Sequence, residues 1–155
     1  MKKIFYLMAS ALLIISSLPR SGVAGDVFQE YEKVIWIDQV KQVGTAYDEG
    51  EKLFEFPVLS GDDLYRTKPG IYTVKRKDEH YYSRKYDTPM PFALFIDLKE
   101  MIAIHAGEVP PPARRKTVAT HGCIHVESPY IVWLYDWSDD EAHTAVVISG
   151  NRTGN

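Results

Sequence analysis

The chain has 155 residues, 45% of them hydrophobic and 25% charged, with ten glycines and nine prolines. These proportions exclude a disordered, collagen-like or low-complexity polymer and fit one globular domain. A single cysteine excludes an intrachain disulfide scaffold, and a formal net charge of −3 argues against a nucleic-acid partner, because affinity for that polymer rests on neutralising phosphates.

The first segment reads as a secretory leader. Lys2 and Lys3 precede the apolar run Ile4 to Ile15, and small residues close on Gly22-Val23-Ala24, so the leader is expected over 1–24 with the cut before Gly25. The apolar run is short for a bilayer span, which makes a retained anchor the less favoured alternative. Residues 25–155 then form a single exported domain with no integral membrane span, placed in the periplasm by the short, simple leader. The leader carries three cations and no acid, so the exported part has a net charge of −6. In an oxidising compartment, an unpaired thiol is either buried and inert or kept for its reactivity.

Beyond the leader, short β-prone runs separated by turn residues dominate. Val34 to Val43 reads as one strand, and Tyr47-Asp48-Glu49-Gly50 as a hairpin turn into a return strand from Leu53 to Leu59. A loop follows from Ser60 to Gly70. Ile71 to Lys75, Phe92 to Asp97 and Met101 to His105 are further strands, the last two joined by a tight turn at Leu98-Lys99-Glu100. Ala106 to Ala119 holds three consecutive prolines and the basic triplet Arg114-Arg115-Lys116, the composition of a long exposed loop and a candidate lid. Ser128 as N-cap and Pro129 at the first helical position then start one short amphipathic helix, with Tyr130, Trp133, Leu134 and Trp137 at i, i+3, i+4 and i+7. Thr144 to Ser149 is the last strand. The fold class is mostly β with one clear helix.

Three of the five histidines gather around the only cysteine: His105, then Thr120-His121-Gly122-Cys123-Ile124-His125. Acyl transfer by a thiol needs a base to take its proton and donors for the developing oxyanion. An imidazole raises the thiolate fraction of a thiol, and glycine before the cysteine lets backbone N–H groups approach a substrate closely. No papain-like signature, His-Glu-x-x-His motif, phosphate-binding glycine loop, dinucleotide fingerprint or serine-hydrolase elbow is present.

Here the sequence resembles the L,D-transpeptidase catalytic domain of peptidoglycan enzymes. That family's pattern is a histidine, a spacer of roughly fifteen residues, then Ser/Thr-His-Gly-Cys, an apolar residue and Arg or Asn. In this chain, fourteen residues separate His105 from Thr120-His121-Gly122-Cys123-Ile124. The resemblance continues through Ser60-Gly61, Thr67-Lys68-Pro69-Gly70-Ile71-Tyr72, Met90-Pro91-Phe92, Ser128-Pro129 and Trp133-Leu134-Tyr135-Asp136-Trp137, nearly the whole exported chain.

The resemblance implies a β-rich sandwich or barrel with a lid over a Cys-His cleft. It implies that Cys123 attacks the carbonyl between the third and fourth residues of a peptidoglycan stem peptide, forming a thioester and releasing D-alanine. His105 is implied as general base, its other ring nitrogen held by the next backbone carbonyl, with His121 as a supporting histidine and Gly122 and Cys123 as oxyanion donors. An acceptor amine resolves the thioester to a 3–3 cross-link, whereas water makes the enzyme an L,D-carboxypeptidase. Carbapenem-type inhibitors acylate the family, and no metal or cofactor is implied.

One position departs from the pattern: His125 stands where Arg or Asn is usual. Histidine is largely neutral at pH 7 and lacks the fixed fork of arginine. Thr120, His125 and Met90 are expected against the substrate, and Arg114 or Arg115 on the lid is expected to pair with a stem-peptide carboxylate. Three other readings stay open: an inert core thiol, a zinc site built from His105, His121, Cys123 and His125, and a non-catalytic peptidoglycan-binding relative.

Overall fold

The computed structural model describes residues 23–152, so the leader up to Ser21-Gly22 lies outside the described residues. Nine strands form one curled sheet: β1 (Lys33–Asp38), β2 (Val43–Asp48), β3 (Glu51–Leu59), β4 (Gly70–Thr73), β5 (Arg76–Ser83), β6 (Thr88–Asp97), β7 (Ile102–Ala106), β8 (Ile124–Val126) and β9 (Thr144–Ser149). Their spatial order is β4-β9-β1-β2-β3-β8-β7-β6-β5. Among the described residues, three helices accompany them: α1 (Val23–Glu30), α2 (Pro112–Arg115) and α3 (Tyr130–Trp137). The fold is mostly β, with two helices more than the periodicity of the sequence shows. None among the described residues is long and apolar enough to cross a membrane.

Local chemistry sets the turns. The expected strand Val34 to Val43 is broken between β1 and β2, because the Asp38 carboxylate accepts the Val40 and Lys41 N–H groups at 3.0 Å and Gln42 takes a left-handed φ of 56°. Glu49 and Gly50, at φ 49° and 80°, form the β2–β3 turn, as a two-residue hairpin with right-handed twist requires. Asp97 repeats the aspartate device before β7, accepting the Lys99 and Glu100 N–H groups. Helix α3 begins one residue later than expected: Pro129, not Ser128, is its cap, and no side chain caps it.

Most pairings are antiparallel, but β1–β9 and β7–β8 are parallel. A parallel neighbour demands a crossover, and the proline-rich segment with α2 supplies it between β7 and β8. The main core gathers Ile35, Phe56, Leu94, Ile104, Ile124 and Leu134, each contributing about 1.5–3 kcal/mol by leaving water. A smaller cluster of Met90, Ala93, Phe95 and Ala103 lies under the β5–β6 hairpin, and Cys123 packs against it.

Candidate active site

The parallel register of β7 and β8 builds the site. Ile104 pairs with Ile124, His105 with His125 and Ala106 with Val126. Side chains alternate across a strand, and burial follows: Ile104, Ile124 and Val126 belong to the main core, whereas Ala103 and Cys123 belong to the smaller cluster. His105, Cys123 and His125 therefore share the second face. All three line a cavity of about 470 Å³, together with Met90, Thr120 and His121. A second cavity of about 450 Å³ opens beside it between the hairpin and Glu100 to Ile102, and it also reaches Cys123, His121, Met90 and Tyr86.

His105 is 5% exposed. Its Nδ1 lies 2.8 Å from the Ala106 carbonyl oxygen. A carbonyl only accepts, so Nδ1 carries the proton and Nε2 is the free base. Burial, reinforced by the adjacent His125, lowers the His105 pKa to about 4. Burial pushes the Cys123 thiol above its ordinary value, against an opposing bond from the Ala103 backbone, and the S–H donates to the Met101 carbonyl at 3.8 Å. The resting pair is thus a neutral thiol and a neutral imidazole rather than a standing thiolate. The His125 ring stands edge-on to His105 at 4.8 Å between centroids, its Nδ1 3.4 Å from the Glu108 carbonyl. Gly107 makes room for it, since a Cβ there would lie 2.5 Å from the His125 Cγ.

The loop before the cysteine is tied down from several directions. The Thr120 hydroxyl accepts the Gly122 N–H at 3.2 Å and donates to the Cys123 carbonyl. The Thr120 N–H donates to the Ser60 carbonyl, and the Thr67 hydroxyl donates to the Gly122 carbonyl at 2.8 Å. Gly122 adopts φ 106°, a region that penalises any Cβ. Two expectations change here. The Gly122 N–H, expected as an oxyanion donor, is bonded to the Thr120 hydroxyl inside the loop. Thr120 lines the cavity, yet its hydroxyl donates to one backbone group of the loop and accepts from another, which makes it a positioning group.

His121 is exposed, and its ring packs against Tyr65 at 4.4 Å and Tyr86 at 4.9 Å. Among the described residues, no hydrogen bond joins it to His105 or Cys123. Met90 is buried at the cavity wall.

The cover over Cys123 is the β5–β6 hairpin, whose Tyr81 to Tyr86 and Thr88 to Met90 line the two cavities. The expected lid contributes only its ends, Ala106 to Glu108 and Ala119. Arg114 and Arg115 line neither cavity at Cys123. Arg114 is exposed on α2, and Arg115 donates from Nε to the Pro110 carbonyl at 2.6 Å and from Nη1 to the Gln42 carbonyl at 3.1 Å. Their placement as substrate contacts is thereby corrected: α2 leaves Arg114 exposed and turns Arg115 and Lys116 towards the β1–β2 turn. The hairpin escaped sequence reasoning because β5 is an edge strand, largely exposed and rich in charge, and Pro89 and Pro91 argue against a strand. Among the described residues, no three His, Cys, Asp or Glu side chains converge as a metal ion requires.

The family model of the YkuD L,D-transpeptidase catalytic domain matches residues 32–148, and the chain belongs to that family. No curated protein sequence matches it. Solved structures share its fold. An L,D-transpeptidase from Stackebrandtia nassauensis superposes with a TM-score of 0.71 at 22% identity, over 81% of this chain and 59% of that one. An Enterococcus faecium L,D-transpeptidase gives 0.66 at 22%, over 76% and 50%. L,D-transpeptidase 3 of Mycobacterium tuberculosis, solved with a faropenem-derived adduct, gives 0.67 at 19%, over 77% and 60%. The chain therefore spans half to three fifths of the length of these relatives.

Proposed function

We propose that this chain is an exported cysteine acyl transferase of peptidoglycan stem peptides, an L,D-transpeptidase making 3–3 cross-links. The observation that carries the reading is the placement of Cys123 and His105 on one face of a parallel strand pair, in one cavity, with the His105 tautomer fixed by the Ala106 carbonyl. Cys123 turns from the Met101 carbonyl towards His105, and Nε2 takes the thiol proton as Sγ attacks the carbonyl carbon joining the third and fourth stem residues. The Cys123 amide is the backbone donor we assign to the developing oxyanion. As the tetrahedral adduct collapses, the imidazolium hands its proton to the departing D-alanine amine and a thioester remains. Burial disfavours the charged imidazole, so the imidazolium formed on attack returns its proton readily to the departing amine. An acceptor amine then loses its proton to His105, attacks the thioester and frees the thiol. Water in the amine's place yields a tripeptide.

Burial of both groups keeps the resting pair neutral, so the thiol proton moves only as attack begins. It also protects an exported lone thiol, since the thiolate is the species that oxidises. Carbapenem-type inhibitors are expected to acylate Cys123 by the same attack. Incubation with disaccharide-tetrapeptides followed by liquid chromatography and mass spectrometry tests the reading. The proposal predicts 3–3 dimers and free D-alanine, both lost in Cys123→Ala. Tripeptides without dimers would make the enzyme an L,D-carboxypeptidase, and unchanged substrate would leave a binding domain.

A further inference from the structure

A cavity that shares no lining residue with either cavity at Cys123 lies between the β1–β2 turn, α2 and the C-terminal segment. It measures about 350 Å³ and is lined by Gln39 to Gln42, Pro112, Arg115, Lys116 and Arg152. Four of these residues are cations and none is an acid, in a chain whose net charge is negative.

The two arginines are held in place by neutral groups. Arg115 rests on the Pro110 and Gln42 carbonyls through Nε and Nη1, leaving Nη2 available. Arg152 donates to the Ser60 carbonyl at 2.8 Å and to the Arg115 and Val118 carbonyls. Carbonyls satisfy N–H groups but do not neutralise charge, so like charges are gathered with little compensation. The acids nearby are Asp38, paired with Lys41 at 3.3 Å, and Asp62, whose charge acts on Arg152 against the cost of burying it. Gln42 fixes the geometry from below. It is buried in a left-handed conformation and bonds both the Ser60 hydroxyl and the Ser60 N–H. Preformed guanidiniums flanked by mobile ammonium groups suit an anion with several oxygens and more than one negative charge.

We propose that this basic cavity is a binding site for a phosphate-bearing anion of the cell envelope. Arg115 and Arg152 form its fixed wall, and Lys41 and Lys116 are its adjustable charges. Because it is separate from the cavities at Cys123, an occupied site leaves the nucleophile open, and the enzyme is held at an anionic surface while its cleft works on stem peptides. The last clause rests on the function proposed above; the binding site itself does not.

Isothermal titration of the whole protein with inorganic pyrophosphate tests the site. Saturable binding at one equivalent is expected, weakened about tenfold or more in the double variant Lys41→Glu/Lys116→Glu, equivalent to about 1.4 kcal/mol. Lys41 pairs with Asp38 across the β1–β2 turn, but the Asp38 carboxylate keeps its bonds to the Val40 and Lys41 N–H groups, so the variant should keep its circular dichroism spectrum and its acylation by a carbapenem. Arg152→Gln serves as an independent second variant. Sedimentation with phosphatidylglycerol vesicles identifies the source of the phosphate. Binding to vesicles that pyrophosphate displaces supports the proposal and assigns a lipid headgroup; pyrophosphate binding without vesicle binding supports it and assigns a free phosphate or phosphodiester. Absence of binding to both overturns it, as does binding that both variants retain, and the two arginines are then loop braces alone. Loss of acylation in the wild type would count against the catalytic reading and not against this site.

Discussion

The two faces of the β7–β8 pair differ by one residue step and do opposite work. On one face Ile104, Ile124 and Val126 are fully buried and join the main core. On the other, His105, Cys123 and His125 stand in a cavity open to the hairpin. Because side chains alternate along a strand, a register slip of one residue would exchange the sets, placing the thiol in the core and isoleucine in the cleft. Apolar packing on the first face therefore holds the register that brings nucleophile and base together on the second.

Substitutions on the two faces should separate chemistry from stability. Cys123→Ala should abolish covalent acylation by a carbapenem, read by intact mass, while the melting temperature stays close to wild type. His105→Gln should slow acylation by roughly 10²–10⁴-fold, the usual contribution of a positioned general base, in stopped-flow measurements. On the core face, Ile124→Ala should cost about 2–5 kcal/mol of stability in urea titrations, yet the fraction still folded should acylate to one equivalent. Thr120→Val strands the Gly122 N–H and the Cys123 carbonyl, so it should lose about 1–3 kcal/mol and slow acylation, with Thr120→Ser restoring both.

Acid supplies a test of the buried imidazole. His105 has a folded pKa of about 4, below its ordinary 6.5, so the unfolded chain binds more protons between those values. Stability from this group is present above pH 6.5 and is lost as pH falls towards 4, by up to about 3 kcal/mol. His105→Gln should flatten that part of the stability profile. The acid limb of wild-type acylation should fall near pH 4, well below that of an exposed histidine.

The chemistry of this site was easier to read in the sequence than its surroundings. Cys123, Gly122 and His105 sit in a spaced motif, and the contact with the carbonyl after His105 was implied by the family resemblance. Strands β3, β6, β7 and β9 announced themselves through apolar or β-branched runs. Strand β5 did not, because Arg76 to Ser83 gains its order from pairing with β6 rather than from burial of its own side chains. That hidden strand displaced the lid: proline and basic residues at 110–116 mark a loop, but nothing local says which loop lies over the thiol. The roles of Thr120 and Gly122 were equally invisible, since the two bonds of the Thr120 hydroxyl depend on the turn that the loop adopts. Arg115 went to the β1–β2 turn for a similar reason. The partners of Arg115 at Gln42 and Pro110 are backbone carbonyls, which carry no residue-specific signal.

Peptide mapping of the protein after incubation with a carbapenem tests the central claim most directly. A single adduct on the peptide containing Cys123, formed by the wild type and strongly slowed in His105→Gln, is the result this account predicts. An adduct elsewhere, or one that survives Cys123→Ala, would contradict it.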